Sequence, residues 1–87
     1  MFVILTYDVN QKRVAKVLKT CRKYLLHVQN SVFEGTITEA KLRQLKEELE
    51  SKIDKKSDQI CLYEFDSTKC SRMEQIGAGK EISNVID

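Results

Sequence analysis

Proline is absent from this sequence of 87 residues, and no stretch of it is rich in glycine and serine or low in complexity. Such stretches are typical of linkers between domains and of disordered segments. A second domain would also need about 50 residues and a core of its own. The sequence therefore predicts a single domain that comprises residues 1–87.

Long apolar runs are absent as well, since no window approaches the roughly 18 apolar residues that a membrane-spanning helix needs. No Lys or Arg precedes Asp8, so we expect no secretory signal peptide. The three cysteines, Cys21, Cys61 and Cys70, are odd in number and have no CxxC spacing. This usage is typical of reduced thiols in a cytosolic protein. Without disulfides, a domain this small gains further stability most readily by oligomerisation.

Positive charge is concentrated in the first half of the chain, although the formal net charge is only +2. Residues 1–37 carry six bases and two acids, a balance of +4, whereas residues 38–87 carry nine bases and eleven acids, a balance of −2. The six bases follow one another with no acid among them: Lys12, Arg13, Lys16, Lys19, Arg22 and Lys23. This pattern favours an anionic partner. A lysine-rich helix face that is simply solvated remains the alternative.

The spacing of apolar residues predicts two helices. Residues 2–9 form a β-branched and aromatic run of strand length, and Asn10 can cap a helix that extends to about residue 26. Thr38 can cap a second helix, whose apolar residues recur at helical spacing as far as Ile53. The first helix therefore carries the six bases on its polar side with no acid to pair with them, whereas acids and bases are mixed on the second.

Three further segments have the composition of strands. Residues 27–37 predict two short strands with a turn at Asn30-Ser31, or else one continuous bent strand. Residues 59–65 predict a strand, and residues 72–76 a weaker one. The remaining tail has three apolar residues to bury: Ile82, Val85 and Ile86.

The order of elements is β-α-β-β-α-β with one trailing strand. This order predicts an α+β fold of the ferredoxin-like split βαβ type, with both helices on one face of an antiparallel sheet. A four-stranded sheet leaves no obvious place for the trailing strand. We therefore expect residues 72–87 to pack on a partner subunit, as an additional C-terminal strand exchanged in a homodimer.

Fold alone does not give function, because this fold hosts many activities. The aromatic motifs of an RNA-recognition module are missing, and so are the arginine and the glycine-rich loop of an acylphosphatase-like phosphate site. His27 is the one histidine and has no partner at the spacing of zinc ligands, so a strand-end position is its simplest interpretation. Asp8, at the carboxyl end of the first strand, is a candidate metal ligand or catalytic carboxylate, or else a turn residue.

Two segments carry a specific resemblance. Residues 2–9 have the sequence FVILTYDV and precede Lys12-Arg13-Val14, and residues 28–35 have the sequence VQNSVFEG. In this order and spacing the chain resembles the small CRISPR-associated endoribonuclease family, the smaller of the two proteins shared by spacer-adaptation systems. The likeness covers nearly the whole chain, and the two signatures together are far more specific than either alone.

The resemblance implies a prokaryotic cytoplasmic protein that forms a ferredoxin-like homodimer. It implies that Asp8 faces its symmetry mate across the interface, where the two carboxylates hold one Mg²⁺. It also implies that Arg13, Ser31 and Phe33 belong to the catalytic site. The nucleic-acid-binding residues would then be the six bases of the first helix and His27. His27 stands where relatives often have arginine, which weakens the case for phosphate contact there at neutral pH.

The implied activity is hydrolysis of phosphodiester bonds in RNA or double-stranded DNA. Mg²⁺ prefers oxygen ligands and keeps several waters, so two carboxylates suffice as protein ligands. The ion lowers the pKa of bound water and offsets charge on phosphoryl oxygens, while Arg13 and nearby lysines can hold the phosphate. Family members also act as the DNA-binding adaptor between two integrase dimers. A metal-dependent endonuclease and a non-catalytic DNA-bridging adaptor are therefore the two main hypotheses, and a toxin-type ribonuclease is the third.

Overall fold

The computed structural model describes residues 1–66 and 69–78. These residues form five strands and two helices, in the order β1 (Phe2–Asp8), α1 (Gln11–Arg22), β2 (Leu26–Gln29), β3 (Val32–Thr36), α2 (Glu39–Lys52), β4 (Gln59–Asp66) and β5 (Lys69–Gly77). Two strands and a turn thus occupy residues 27–37, as the first of the two interpretations predicted, and not one bent strand.

All strand pairs are antiparallel, and the strands lie in the order β2-β3-β1-β4-β5. In the central strand β1, Leu5 lies opposite Phe33 of β3 on one side and opposite Leu62 of β4 on the other. The first four strands and the two helices have the split βαβ arrangement, so the predicted α+β fold is confirmed.

The predicted caps begin both helices. The side chain of Asn10 accepts a hydrogen bond from the backbone N–H of Lys12, and the side chain of Thr38 accepts one from Lys41. The first helix ends at Arg22, four residues before the predicted end. Its last turn tightens there, because the backbone N–H of Lys23 donates to the Thr20 carbonyl at 3.1 Å.

Both helices pack on one face of the sheet, where the apolar core lies. The alternation of side chains along β1 directs Val3 and Leu5 towards the helices, and both are fully buried. They pack with side chains of the two helices and of the neighbouring strands, among them Val17, Cys21, Phe33, Leu45, Leu49, Ile60 and Leu62.

The opposite face of the sheet, which we call the open face, is covered by neither helix. It carries Phe2 and Ile4 of β1 and, opposite them in register, Phe65 and Tyr63 of β4. The rings of Phe2 and Phe65 meet edge to face with centroids 6.1 Å apart. On the β2 side, Leu26 is 67% exposed. The open face is therefore apolar along its central strands.

The trailing strand has a place that the sequence pattern did not indicate. Residues 72–76 belong to β5, which begins at Lys69 and pairs with β4 of the same chain at the edge of the sheet. A β-bulge near Phe65 interrupts this pairing. The predicted tail residues Ile82, Val85 and Ile86 lie outside the described residues, so strand exchange remains a prediction.

The two helices contain 12 and 14 residues. Within the described part of the chain, neither is long and apolar enough to span a bilayer.

Candidate active site and nucleic-acid interface

Asp8 is the last residue of β1 and is exposed. It lies opposite Gln59 of β4, and strand alternation places its side chain on the open face with Ile4 and Thr6. Because β1 is the central strand of five, Asp8 lies midway across the width of the sheet. The candidate carboxylate is therefore at the end of an apolar surface.

The donor set of one chain is small. Among residues 1–66 and 69–78, no three His, Cys, Asp or Glu side chains are grouped as metal ligands. Mg²⁺ is commonly held by one or two carboxylates and several waters. Asp8 fits that ion if waters and a second subunit complete the site, but it does not form a site for a metal that needs three or four protein ligands.

Arg13 and Asp58 form an ion pair near the start of α1, in which the Asp58 side chain is fully buried and the Arg13 side chain is 26% exposed. The guanidinium donates from Nε to Oδ2 of Asp58 at 2.5 Å and from Nη2 to Oδ1 at 3.1 Å. The backbone N–H groups of Asn10 and Asp54 donate to the same carboxylate at 3.0 and 2.9 Å, and Ser57 Oγ lies 3.3 Å from Nη2. The guanidinium of Arg13, together with these N–H groups, holds the pKa of Asp58 well below its usual value.

This geometry gives Arg13 a structural role. Nε and Nη2 are both directed to a carboxylate within the protein, although the partly exposed side chain also lines the groove between the two helices. Contact between Arg13 and a substrate phosphate remains a prediction. Asp58 is the central residue that sequence reasoning missed, because it lies in a polar loop 45 residues from Arg13. Nothing in the local pattern distinguishes it from Asp54, which is exposed.

The other predicted site residues lie around the β2–β3 turn. Ser31 is in that turn, and its carbonyl oxygen accepts a hydrogen bond from the N–H of Tyr7 at 3.2 Å. Phe33 is fully buried in the core, where it stabilises the sheet and is not available to a substrate. His27 stacks on Phe33 with centroids 4.4 Å apart. Its Nε2 donates to the carbonyl of Asn30 at 2.8 Å and therefore carries the proton.

These contacts place His27 on the helix side of the sheet, opposite to the open face that carries Asp8. Its partner in the sheet is Phe33, whose side chain points to the helix layer. The hydroxyl of Tyr7 donates to the same Asn30 carbonyl at 2.8 Å. The structure thus brings Tyr7, His27 and the turn together as a support for the end of β1, and leaves Asp8 as the exposed carboxylate of the predicted site.

The bases of α1 form the second candidate surface. A groove of about 470 Å³ lies between the two helices and is lined by five bases with two hydroxyls and one acid: Arg13, Lys16, Lys19, Lys23, Lys52, Thr20, Ser51 and Glu48. Lys12 and Arg22 are exposed outside this lining. The surface suits a chain of phosphates, because phosphate contacts are made chiefly by lysine, arginine and hydroxyl groups.

The expectation that the six bases have no acidic partners is corrected for two of them. Arg13 pairs with Asp58, and Lys23 pairs with Glu48 of α2, which also accepts a hydrogen bond from the Tyr24 hydroxyl. Lys23 and Tyr24 hold the pKa of the Glu48 carboxyl below its usual value. The acids come from distant parts of the chain, so the composition of α1 alone could not predict them.

Comparison with known proteins assigns the family. The model of the family described as CRISPR associated protein Cas2 matches residues 1–73. The chain belongs to the Cas2 family. A Cas2 relative from Thermotoga maritima, named CRISPR-associated endoribonuclease Cas2, is 50% identical over 80 residues, which are 92% of each chain. A relative of the same name from Methanosarcina acetivorans is 40% identical over 87 residues, which are 99% of this chain and 100% of the relative.

Solved Cas2 structures have the same fold. The crystal structure of Streptococcus pyogenes Cas2 at pH 6.5 matches with a TM-score of 0.70 and 42% identity, over 76% of this chain and 87% of that one. Another Cas2 crystal structure matches with a TM-score of 0.70 and 38% identity, over 83% and 87% of the two chains. The resemblance in the YDV and VQNSVFEG segments is thereby confirmed at the level of the family.

Proposed function

We propose that this Cas2 family member is a dimeric, Mg²⁺-dependent endonuclease that acts on RNA or double-stranded DNA and binds DNA together with the integrase of CRISPR spacer acquisition. The observation that carries the proposal is the position of Asp8, an exposed carboxylate at the end of the central strand on the apolar open face. The endoribonuclease names of the relatives from Thermotoga maritima and Methanosarcina acetivorans support nuclease activity.

A homodimer completes this site. Two open faces packed about a two-fold axis near the end of β1 would bury Phe2, Ile4 and their neighbours and bring Asp8 close to Asp8 of the partner subunit. Two carboxylates at short range repel each other, and a divalent cation between them removes that repulsion. When bound, Mg²⁺ offsets charge on the phosphoryl oxygens and lowers the pKa of a coordinated water.

The chain's own residues then have distinct tasks. Asp8 holds the ion, and the turn at Ser31 supports the end of β1 through the Tyr7 N–H. Lys16 and Lys19 bind phosphates of the nucleic acid along α1. Arg13 contributes indirectly, by fixing α1 against Asp58.

Loss of cleavage on removal of one carboxylate tests the proposal. Asp8→Asn keeps the shape of the side chain but supplies a poorer ligand for a hard cation. We expect cleavage of RNA and duplex DNA in Mg²⁺ to disappear in this variant, and to disappear in the unmodified protein when the ion is chelated. Asp66→Asn is the matched control, because Asp66 is also an exposed Asp at the end of a strand. It is remote from Asp8, since Asp8 lies opposite Gln59, at the other end of β4. Full cleavage by Asp8→Asn would refute the assignment.

A non-catalytic DNA-bridging adaptor is the second candidate. It is favoured by the basic groove, which lies in the helix layer whereas Asp8 is on the open face, so that phosphates in the groove are remote from the carboxylate of the same chain. Spacer acquisition in cells that carry Asp8→Asn separates the two. If the variant still acquires spacers but no longer cleaves nucleic acid, the adaptor is supported. If it loses both spacer acquisition and cleavage but still binds DNA, the enzyme is supported.

A toxin-type ribonuclease would not depend on a repeat array. Membership of the CRISPR-associated family favours a role in spacer adaptation instead. A gene that lies beside an integrase gene and a repeat array would support that role.

A further inference from the structure

We propose that Asp58 is a positioning residue for the Asp8 site, since it fixes the loop from β1 to α1 and thereby the direction in which Asp8 presents its carboxylate. This inference rests on the proposed function of Asp8 as a metal ligand.

The Asp58 carboxylate is buried and fully hydrogen-bonded. Its side chain has no exposed surface, and each oxygen accepts two hydrogen bonds, Oδ1 from Asn10 and Arg13 and Oδ2 from Arg13 and Asp54. Because this side chain is buried, the carboxylate cannot rotate without losing several hydrogen bonds. It therefore acts as a fixed point inside the protein.

The Asp58 carboxylate is bonded directly to the loop of residues 8–10, which joins β1 to α1 and which we call the Asp8 loop. Asn10, whose backbone N–H binds Asp58, is two residues after Asp8, and its side chain caps α1 at Lys12. On the other side, Tyr7 immediately precedes Asp8 and is bonded through its N–H to Ser31. Asp8 thus lies between two restrained backbone positions, one fixed by the β2–β3 turn and the other by Asp58.

Stability alone does not account for a buried carboxylate at this place. Burying a charged group costs free energy because the group must be removed from water, and the attraction of a partner charge often does no more than offset that cost. The pair does, however, orient groups. Arg13 and Asn10 belong to the start of α1, and Asp54 follows the end of α2. Because all three donate to Asp58, the carboxylate sets the position of the start of α1 relative to the end of α2. Residues that orient metal ligands typically change metal affinity 10- to 100-fold when replaced.

Metal binding by variants tests this role. Titration with Mn²⁺, a paramagnetic substitute for Mg²⁺, gives an affinity without any assay of cleavage. We expect Asp58→Asn to weaken binding by about 10-fold or more, because one amide cannot replace four accepted hydrogen bonds. Glu74→Gln is the matched control. It also removes a carboxylate that joins two elements, β5 and α2, through its ion pair with Lys46, but it lies outside both the Asp8 site and the basic groove, so the affinity of this variant should match that of the unmodified protein.

Amide NMR spectra supply a second readout that needs no metal. In Asp58→Asn, the signals of residues 8–10 should shift and broaden, whereas in Glu74→Gln they should stay in place. If Asp58→Asn does not fold, Arg13→Lys replaces it, since lysine keeps the charge but cannot make two parallel hydrogen bonds to the carboxylate.

The outcomes separate the two proposals. Unchanged Mn²⁺ affinity and unchanged signals for residues 8–10 in Asp58→Asn, with binding lost in Asp8→Asn, would overturn the positioning role and leave the metal site intact. Binding that survives in Asp8→Asn would overturn the metal site and, with it, the positioning role. Weakened binding in Asp58→Asn and in Asp8→Asn, with normal binding in Glu74→Gln, supports both.

Discussion

Asp58 shows at the residue scale how one buried carboxylate makes folding depend on pH. Arg13 and the backbone N–H groups of Asn10 and Asp54 donate to the Asp58 carboxylate, and they hold its pKa well below its usual value. A carboxyl whose pKa is lowered in the folded state stabilises the fold at pH values above its unfolded pKa of about 4. That contribution is lost as the pH falls through this value towards the folded pKa.

The corresponding prediction concerns the free energy of unfolding. We expect Asp58→Asn to lower it by about 2 kcal/mol at pH 7, because a buried donor set loses its charged acceptor. The difference from the unmodified protein should shrink between about pH 5 and pH 3, since the unmodified protein then loses the same contribution. Urea unfolding across this range measures both. A difference that stays constant with pH would contradict the account.

The residue scale also marks the limit of prediction from sequence. Asn10 and Thr38 could be recognised as helix caps because a cap acts on a backbone group only two or three residues away. The partners of Arg13 and Lys23 could not, because they lie 45 and 25 residues away and meet them only after folding. Asp8 could be identified as a candidate through its place at a strand end and through family resemblance, but the support provided by Asp58 could not.

At the scale of elements, the end of β5 depends on the same loop. Gly77 has a φ of 99°, and a Cβ atom added there would lie 2.2 Å from the carbonyl oxygen of Asp58. That carbonyl accepts the N–H of Ala78 at 2.7 Å, so the contact is part of how the strand ends. The prediction of a strand at residues 72–76 was correct in type. Its start at Lys69 and its pairing with β4 could not be predicted, because the local sequence pattern does not specify which strand it pairs with.

Alanine substitutions at two glycines test this ending of β5. We expect Gly77→Ala to lower the free energy of unfolding by about 1–3 kcal/mol, because the backbone must leave its positive φ or collide with a carbonyl group. Gly35→Ala is the control, since its added Cβ meets the flexible end of the Leu25 side chain at 3.2 Å. Thermal unfolding of both variants gives the comparison. An equal effect of the two substitutions would show that the geometry at Gly77 is not required.

The exposed bases of α1 lead to a prediction about how DNA binding depends on salt concentration. These bases should contact phosphates and not base edges, so affinity for duplex DNA should fall steeply with salt and depend little on sequence. Replacing Lys16 and Lys19 by Gln should make the slope of log K against log[salt] shallower by about 0.9 for each phosphate that the variant no longer neutralises. Lys23→Gln should change it less, because Lys23 already pairs with Glu48.

The control for this measurement lies on α2. Replacing Lys41 and Arg43 by Gln removes the same charge from exposed positions outside the groove, so the slope should not change. A slope that is unchanged in Lys16→Gln/Lys19→Gln, or one that changes equally in the control, would place the DNA-binding surface elsewhere.

At the scale of the whole molecule, the two faces of the sheet have different roles. The helix layer buries the core and carries the basic groove, whereas the open face combines Phe2, Ile4, Tyr63 and Phe65 with Asp8 at its end. An apolar face of this kind is characteristic of an interface, and a symmetric dimer presents the same patch from both chains. The sequence shows apolar side chains on both faces of β1 as far as Leu5, but which face the helices leave uncovered follows only from the fold.

The number of ions bound per chain tests the central claim, that Asp8 of two subunits shares one divalent cation. Equilibrium titration of Mn²⁺, with the dimer followed by sedimentation, should give one ion for every two chains. Asp8→Asn should abolish this binding and preserve the dimer, whereas Asp66→Asn should bind as the unmodified protein does. One ion per chain, or the same stoichiometry in Asp8→Asn, would contradict the account.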